Sequence, residues 1–386
     1  VQDRSGKATH RSLKGIPVSR LEFENPKALR DYVIRYRDID NFPMFGIHVT
    51  REGTDRAGNP YTNVDTRLGM YAYLSDNFED IKYDASIIKV MNIDIEVAAD
   101  KGFPSIDDAV KPITAITMLI DETYLVLGCG DFTTEREDVK YFKCKNETDL
   151  LQKFLHIWNS EDYGPDVVTG WNVEFFDIPY IVNRITNVLG EDRARKLSPH
   201  GILDRRVINL MNKDMTTYLP AGISILDYMQ LYRKFSYKMQ ESYKLDNIGH
   251  VELGERKLDY SEHESLLNLY NEDYQKFMED NIRDVEIVDK LDKKFKFIEL
   301  VYAMAYDGLV NYNDTFTNVR MWDVIIHNYL ARQNIAIPLL HYSHKDKDRK
   351  IEGAFVKDPI IGLHNWVVSF DLNSLYPHLI MQYNTS

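Results

Sequence analysis

Short apolar runs separated by polar turns fill the chain from residue 87 onward. Three of them, IIKVMNIDIEV, ITAITMLI and YLVLGC, follow one another closely and have the apolar, β-branched character of strands. The pattern then alternates: ETDLLQKFLHIW has helical spacing, DVVTGW is strand-like, a helix is predicted from about Ile178, and GISILDYM passes from a strand into a helix. This order predicts an α/β sheet covered by helices.

The two ends of the chain have different patterns. Residues 1–85 alternate apolar stretches with the turn-rich segment REGTDRAGNPYTN, which predicts a small α+β domain. Beyond Glu262, about 45 residues carry charges and apolar side chains at helical spacing. A charged loop at 342–350 precedes the final segment, so we predict three parts, at 1–85, 86–340 and 341–386.

Length and composition set broad limits. With 386 residues and 44% hydrophobic content, the chain can form two or three cores. Cys129 and Cys144 are too few for a disulfide framework or a cysteine-rich zinc site, which fits a reducing cell interior. No apolar run has membrane-spanning length and no signal peptide is recognisable, so we expect a soluble chain. Because it opens on Val1, we expect its natural start to be missing.

The first candidate site is the strand segment NIDIEV. Asp94 and Glu96 share one face of the strand because alternate side chains point the same way, while Ile93, Ile95 and Val97 share the other face. Two adjacent carboxylates repel each other unless a cation lies between them. A strand with one solvated face would have the same pattern. A strand that leads a series of apolar strands is, however, expected to be central in the sheet.

The second candidate is the segment TGWNVEFFDIPY. An apolar strand ends in a glycine turn, and Asp177 lies where the next helix begins, with Pro179 in the first turn. Asp is also a favoured N-cap residue, so helix capping is the simpler alternative for Asp177. Asn172 could be a turn residue or a contact to substrate, and the sequence leaves both open.

The third candidate is the segment DNIRDVEIV. The apolar stripe of Ile298, Phe295, Leu291 and Val288 continues backwards at the helical period to Asp284. A carboxylate in register with core residues requires a partner, since an unpaired buried charge is costly. An Arg or Lys could be that partner, and a metal ion shared with the other carboxylates is the alternative.

Together these carboxylates, on a strand, at a turn and on a later helix, could converge on one pocket. All-oxygen ligands select Mg²⁺ or Mn²⁺ over zinc. Two such ions are the usual arrangement for phosphodiester cleavage. The formal net charge of −13 argues against a protein that coats phosphate backbones. It is compatible with an enzyme in which metal ions neutralise the reacting phosphate.

The sequence resembles the family B DNA polymerases, in particular the replicative polymerases of T-even-type bacteriophages. NIDIEV, TGWNVEFFDIPYI and NIRDVEIV are similar to the three exonuclease motifs of that family, and FDLNSLYP is similar to its first palm motif. The resemblance implies a ribonuclease-H-like 3′-to-5′ exonuclease domain at 86–340, between a partial N-terminal domain and the start of the palm. It also implies that catalysis and the binding of two Mg²⁺ or Mn²⁺ ions depend on Asp94, Glu96, Asp177 and Asp284.

The implied function is proofreading, the removal of mispaired nucleotides from a DNA primer end by part of a replicative DNA-directed DNA polymerase. The implied partners are single-stranded 3′ ends, primer-template DNA, the remainder of the polymerase and a sliding clamp, in the cytoplasm of an infected host cell and without a membrane. By resemblance, Phe103 stacks on a base of the frayed end, and residues 207–224 form a hairpin that helps to separate primer from template. Ordinary packing is the alternative for Phe103.

Position 280 departs from the family pattern. The family usually has a tyrosine four residues before the third-motif aspartate, where this chain has Asp280. Residues four apart share a helix face, so Asp280 would direct a fifth acid at the site. It could orient water or a metal ion, or it could repel the phosphate and slow cleavage. The alternative function is therefore a nucleic-acid-binding module, for primer-template DNA or an RNA operator, with weak or lost nuclease activity.

The terminal motif FDLNSLYP has its own implied roles. By resemblance, Asp371 binds a palm metal ion, Leu372, Ser374 and Leu375 line the incoming nucleotide, and Tyr376 excludes ribose 2′-hydroxyl groups. One carboxylate does not complete a two-metal site. These residues are therefore expected to act only together with the rest of the palm.

We predict no DNA synthesis by the 386-residue chain alone, because the second palm acid and the basic nucleotide-binding helix are not in its sequence. Extension of a labelled primer on a DNA template, with Mg²⁺ and all four deoxynucleoside triphosphates, measures this directly. Measurable extension by the purified chain would contradict the prediction.

Overall fold

The computed structural model describes residues 8–12, 15–19, 28, 50–54, 60–64, 83–99, 104–210, 213–258, 266–336 and 353–384. The chain divides into two compact units, Val1–Leu339 and Leu340–Ser386. The finer division into three parts stays a prediction.

The secondary structure alternates strands and helices, as the apolar pattern predicts. The strands are β1 (His10–Ser12), β2 (Pro17–Val18), β3 (Thr50–Thr54), β4 (Pro60–Val64), β5 (Val90–Val97), β6 (Ile113–Ile120), β7 (Thr123–Gly128), β8 (Val139–Lys143), β9 (Val167–Gly170), β10 (Leu203–Leu210), β11 (Lys213–Pro220), β12 (Ser224–Asp227) and β13 (Ile335–Ala336). The helices are α1 (Glu147–Trp158), α2 (Asp177–Leu189), α3 (Glu191–Ala194), α4 (Tyr228–Phe235), α5 (Leu245–Leu253), α6 (Leu266–Glu272), α7 (Tyr274–Phe295), α8 (Phe297–Gly308), α9 (Asn318–Arg332) and α10 (Leu375–Tyr383).

A mixed six-stranded sheet forms the centre of the first unit, in the order β12-β9-β5-β6-β7-β8. β5 is parallel to β9 and antiparallel to β6, so the strand with the NIDIEV segment is central, as expected. All eight residues of β6 are buried, which explains why ITAITMLI has apolar residues on both faces rather than on alternate positions only. The α/β class is confirmed.

Helices cover both faces of this sheet. Ile93 and Ile95 of β5 pack with α1 and α2 in one core, which includes Phe154 and Ile181. On the other side, β6 and β7 pack against α7 through Phe277, Met278 and Val285, among others. The face of β5 that carries Asp94 and Glu96 therefore lies on the side of the sheet that α7 covers.

The helical region after Glu262 differs from the prediction in one respect. The predicted stripe from Asp284 to Ile298 is divided between two helices, because Lys296 ends α7 with a left-handed φ of 54°. Ile298 therefore belongs to α8 and not to the stripe of Asp284, so its assignment to that stripe was wrong. Val288 and Leu291 are buried on α7, so the inference that Asp284 is in register with core residues still holds.

The remaining elements are smaller. β10 and β11 form an antiparallel hairpin that includes most of the segment 207–224. β8, at one edge of the central sheet, is a strand that the apolar pattern did not indicate. In the second unit, the FDLNSLYP motif leads into α10, whose N-cap residue is Ser374. Among the described residues, no helix has the length and apolar character needed to cross a membrane.

Candidate active site

The site is built on β5, where strand alternation places Asp94 and Glu96 on one face. Ile93 and Ile95 are buried on the other face, in the core with α1 and α2. This apolar face fixes the strand register, so both carboxylates are held toward α7 in a half-buried position. The prediction for this segment is confirmed in its geometry.

Asp177 reaches the same strand from its edge. Strand β9 pairs with β5 only as far as Asn92, so the backbone N–H of Ile95 has no strand partner on that side. The Asp177 Oδ1 atom accepts a hydrogen bond from this N–H at 3.1 Å, and the side chain is only 2% exposed. The helix-capping alternative does not hold, because the N-cap of α2 is Phe176 and Asp177 is the first helical residue.

Gly170, at the end of β9, allows the chain to approach β5 closely before it turns toward Asp177. A Cβ atom at this position would lie 2.4 Å from the carbonyl oxygen of Ile93. That distance is too short for any side chain, so glycine is required here. Gly170 thus allows the turn that follows β9 to lie next to the acids.

Asp227 fixes the turn after Gly170. Its carboxylate is fully buried and accepts hydrogen bonds from the backbone N–H groups of Asn172 at 3.2 Å and Glu174 at 3.1 Å. It also accepts N–H bonds from Met229 and Gln230 at the start of α4. One side chain therefore caps α4 and holds the loop that precedes Asp177.

Asp284 completes the cluster from α7. Asp94, Glu96 and Asp284 each contribute one carboxylate oxygen to a group whose members lie within 4.8 Å of one another. Asp284 is 4% exposed, and its Oδ1 atom has no hydrogen-bond partner in the part of the chain that the structure describes. Two separate elements thus bring three predicted acids to one point, with Asp177 bonded to the strand between the first two.

Asp284 has the cationic partner that the sequence left open as an Arg or Lys, and the residue, Lys257, is a functional candidate that the sequence did not identify. Its Nζ atom forms an ion pair with Asp284 Oδ2. Burial works against its charge, but the negative charges of Asp284, Glu96 and Asp94 raise the pKa of Lys257 above its ordinary value. Lys257 lies in the segment between α5 and α6, which has no periodic apolar pattern. The local sequence therefore gave no sign that this lysine would contact Asp284.

Asp280 holds the segment that carries Lys257. Its side chain is 1% exposed, and its Oδ1 atom accepts a hydrogen bond from the backbone N–H of Leu258 at 3.1 Å. The N–H of Lys257 is bound in turn by Asp246 Oδ1 at 3.0 Å. Asp280, the residue that departs from the expected tyrosine, therefore anchors the backbone next to Lys257.

Burial and mutual repulsion make these carboxylates hard to ionise. Burial raises the pKa of Asp94 well above its usual range, and the charges of Asp284, Asp177 and Glu96 raise it further. Burial also raises the pKa of Glu96 to about 8, of Asp177 to about 7 and of Asp284 to about 6, with Lys257 acting in the opposite direction at Glu96 and Asp284. The cluster thus needs positive charge to be fully ionised near neutral pH.

The cluster fits a hard divalent metal ion. All the ligand atoms are carboxylate oxygens, which Mg²⁺ and Mn²⁺ prefer. The buried Asp284 Oδ1 atom is an acceptor that the described residues leave unsatisfied, and an ion would satisfy it. The residues present therefore fit the metal that the sequence analysis expects.

The other predicted site residues are not part of the acid cluster that the structure describes. Phe103 is outside the described residues. Asn172 has a left-handed φ of 67° and is bonded through its N–H to Asp227, which supports the turn interpretation without testing substrate contact. In the second unit, Asp371, Leu372, Leu375 and Tyr376 are exposed, and Ser374 has a left-handed φ of 53°.

Comparisons with known proteins show the family of the chain. The profile of the DNA polymerase family B exonuclease domain matches residues 27–248, and the DNA polymerase family B profile matches residues 316–386. The chain belongs to the family B DNA polymerases. The first profile spans the segments of Asp94, Glu96 and Asp177, and the second includes the FDLNSLYP motif.

The family B relatives include phage and cellular polymerases. The chain is 39% identical to the DNA-directed DNA polymerase of Escherichia phage RB69, with 97% of this chain and 42% of that protein covered. It is 34% identical to the DNA-directed DNA polymerase of Enterobacteria phage T4, with coverages of 83% and 38%. For the DNA polymerase delta catalytic subunit of Schizosaccharomyces pombe the identity is 26%, with coverages of 77% and 28%. The chain spans about two fifths of the length of these phage polymerases.

The raised pKa values of this family B site predict a pH-dependent stability. Unfolded carboxylates titrate near pH 4, whereas Glu96, Asp177 and Asp284 have pKa values of about 8, 7 and 6 in the fold. Between these limits the metal-free folded chain binds more protons than the unfolded chain, so its stability falls as pH rises. We expect Tm in a chelator to fall between about pH 5 and about pH 8, and Mg²⁺ to restore it at the upper end.

The control for this measurement is the double variant Asp94→Asn with Glu96→Gln, which removes two charges with little change in shape. Its Tm should fall less over the same pH range and should respond less to Mg²⁺. Identical pH profiles of the variant and the natural chain would contradict the prediction.

Proposed function

We propose that the chain is a metal-dependent 3′-to-5′ exonuclease that proofreads DNA as part of a replicative DNA polymerase. The observation that carries this proposal is the convergence of Asp94, Glu96 and Asp284 oxygens within 4.8 Å, beside Asp177. Oxygen ligands from four carboxylates are suited to two Mg²⁺ or Mn²⁺ ions. The family membership supports the same assignment.

In this proposal Asp94, Glu96, Asp177 and Asp284 hold the ions. Bound ions would supply activation of a water nucleophile and charge stabilisation at the leaving 3′ oxygen. The carboxylates fix the positions of these charges, since each is tied to a strand or helix of the core. Lys257 adds an ammonium group beside Asp284, where it can donate to a phosphate oxygen of the substrate. None of these residues reads a base, so cleavage should not depend on sequence.

The wider setting is also a proposal. The substrate would be the frayed 3′ end of primer-template DNA, in the cytoplasm of an infected host cell, and a sliding clamp would act through other regions of the polymerase. The phage relatives are DNA-directed DNA polymerases, which supports a DNA substrate and a larger polymerase as the parent. Further roles are proposed from the resemblance alone. They concern Phe103, Asn172, the β10–β11 hairpin and the residues from Asp371 to Tyr376.

The direct test removes two of the ligands. Asp94→Ala combined with Glu96→Ala should lower Mg²⁺-dependent degradation of single-stranded DNA by at least about 1,000-fold. The reason is that metal ions supply several kcal/mol of transition-state stabilisation, and each ~1.4 kcal/mol is tenfold in rate. Stepwise shortening of a 5′-labelled oligonucleotide measures the rate.

A matched control is Glu135→Ala combined with Glu137→Ala, which removes two exposed acids with the same spacing. It should leave the rate unchanged. Undiminished cleavage by the Asp94 and Glu96 variant would exclude this site as the catalytic centre. A natural chain that binds DNA without cleaving it in Mg²⁺ would favour the binding-module alternative.

The anchoring contact of Asp280 gives a separate test. Asp280→Asn keeps an oxygen that can accept the Leu258 N–H while removing a charge that opposes the phosphate. Asp280→Ala leaves that buried N–H unsatisfied, which costs about 1–3 kcal/mol. We expect the Asp280→Asn variant to cleave DNA at least as fast as the natural chain, and the Asp280→Ala variant to cleave it about tenfold more slowly. If both variants are equally slow, the charge of Asp280 itself is required.

A further inference from the structure

A hydrogen-bonded chain of three side chains lies behind the acid cluster. Asn281 of α7 donates from its Nδ2 atom to Asp94 Oδ2 at 2.7 Å. Thr117 of β6 donates from its hydroxyl to Asn281 Oδ1 at 2.5 Å. Thr117 and Asn281 are both completely buried. The contacts join β6, α7 and β5 at the point where Asp94 enters the site.

Hydrogen-bonding chemistry fixes the direction of this chain. A carboxylate that binds a metal ion is ionised and can only accept, so for Asp94 to serve as a ligand the amide end that faces it must be the NH₂ group. The carbonyl end of Asn281 then faces Thr117, whose hydroxyl must donate. A reversed amide would place two oxygens against each other at the carboxylate. The Thr117 hydroxyl satisfies the buried amide oxygen in the orientation that Asp94 requires.

The positions of the two residues follow from the fold. Thr117 is directly opposite Asp94 in the antiparallel β5–β6 pair, so both side chains are on the same face of the sheet. Asn281 lies three residues before Asp284 on α7 and thus shares its helix face. The helix therefore delivers a metal-ligand candidate and a donor to Asp94 within one turn.

We propose that Asn281 is a positioning residue for Asp94, and that Thr117 holds the Asn281 side chain in place by donating to its amide oxygen. The proposal rests on the proposed function of the acid cluster. Asp94 is repelled by Glu96, Asp177 and Asp284, and a neutral donor holds one of its oxygens without adding a competing cation. Carboxylates that bind metal ions are commonly held by such hydrogen bonds, and loss of the outer partner costs about 10- to 100-fold in metal affinity or activity.

The first variant is Asn281→Leu, which keeps the branching of the side chain and removes both hydrogen bonds. We expect kcat on single-stranded DNA to fall by about 10- to 100-fold, with KM for DNA little changed. The affinity of the DNA-free chain for Mn²⁺, measured by calorimetry, should also fall by about 10- to 100-fold. A role in packing alone would not weaken Mn²⁺ binding in a folded variant.

The second test is a matched pair at Thr117. Thr117→Val keeps the shape and loses the donor, whereas Thr117→Ser keeps the donor and loses a methyl group. We expect the valine variant to lose about fivefold in kcat and in Mn²⁺ affinity, the value of one hydrogen bond of about 1 kcal/mol, and the serine variant to retain both. The double variant of Asn281→Leu and Thr117→Val should be no worse than Asn281→Leu alone.

Two outcomes would overturn the inference. One is a folded Asn281→Leu variant, verified by thermal unfolding, with unchanged Mn²⁺ affinity. The other, which decides the matter if that variant does not fold, is equal loss of Mn²⁺ affinity in the valine and serine variants. Failure of the proposed function is distinguishable, because it would appear as absent Mg²⁺-dependent cleavage by the natural chain. Mn²⁺ affinity of the variants would then still test Asn281 by itself.

Discussion

Repulsion among carboxylates that the fold holds close together is the constraint on which the site depends. Asp94, Glu96 and Asp284 meet within 4.8 Å, with Asp177 and Asp280 nearby. Burial removes part of the solvation of these acids and the fold fixes their separation, so the pKa values rise. The fold must therefore hold the acids together through contacts outside the cluster. It does so by attaching each acid to an element whose opposite face is deeply buried.

The packing of helix α7 in the core determines where its polar side chains lie in the site. Its apolar residues, including Phe277 and Val285, pack on β6 and β7 and fix its rotation over the sheet. The same rotation turns Asp280, Asn281 and Asp284 toward β5. The three side chains do different work: Asp284 joins the cluster, Asn281 donates to Asp94, and Asp280 holds the backbone beside Lys257. A change in the packing of α7 would thus disturb all three contacts together.

The sequence predicted the parts of the site that follow from periodicity. Alternation in NIDIEV placed Asp94 and Glu96 on one face, and the helical period placed Asp284 in register with core residues. Contacts that join distant segments had no such signal. Lys257 lies in a non-periodic segment, and its pairing with Asp284 exists only because α5 brings that segment to α7. The position of Asn281 near the site was predictable in principle, because a residue three positions before Asp284 shares its helix face.

The departure at position 280 is best understood together with Lys257. The tyrosine usual in the family carries a hydroxyl, which can donate to a phosphate oxygen, whereas an ionised carboxylate can only accept. In this chain the carboxylate accepts the N–H of Leu258, and the adjacent lysine presents its ammonium group to Asp284. Loss of a donor on α7 is thus accompanied by a firmly held donor on the neighbouring segment. In the proposed exonuclease, the donor to the substrate would therefore be Lys257, on the segment between α5 and α6, rather than a residue of α7.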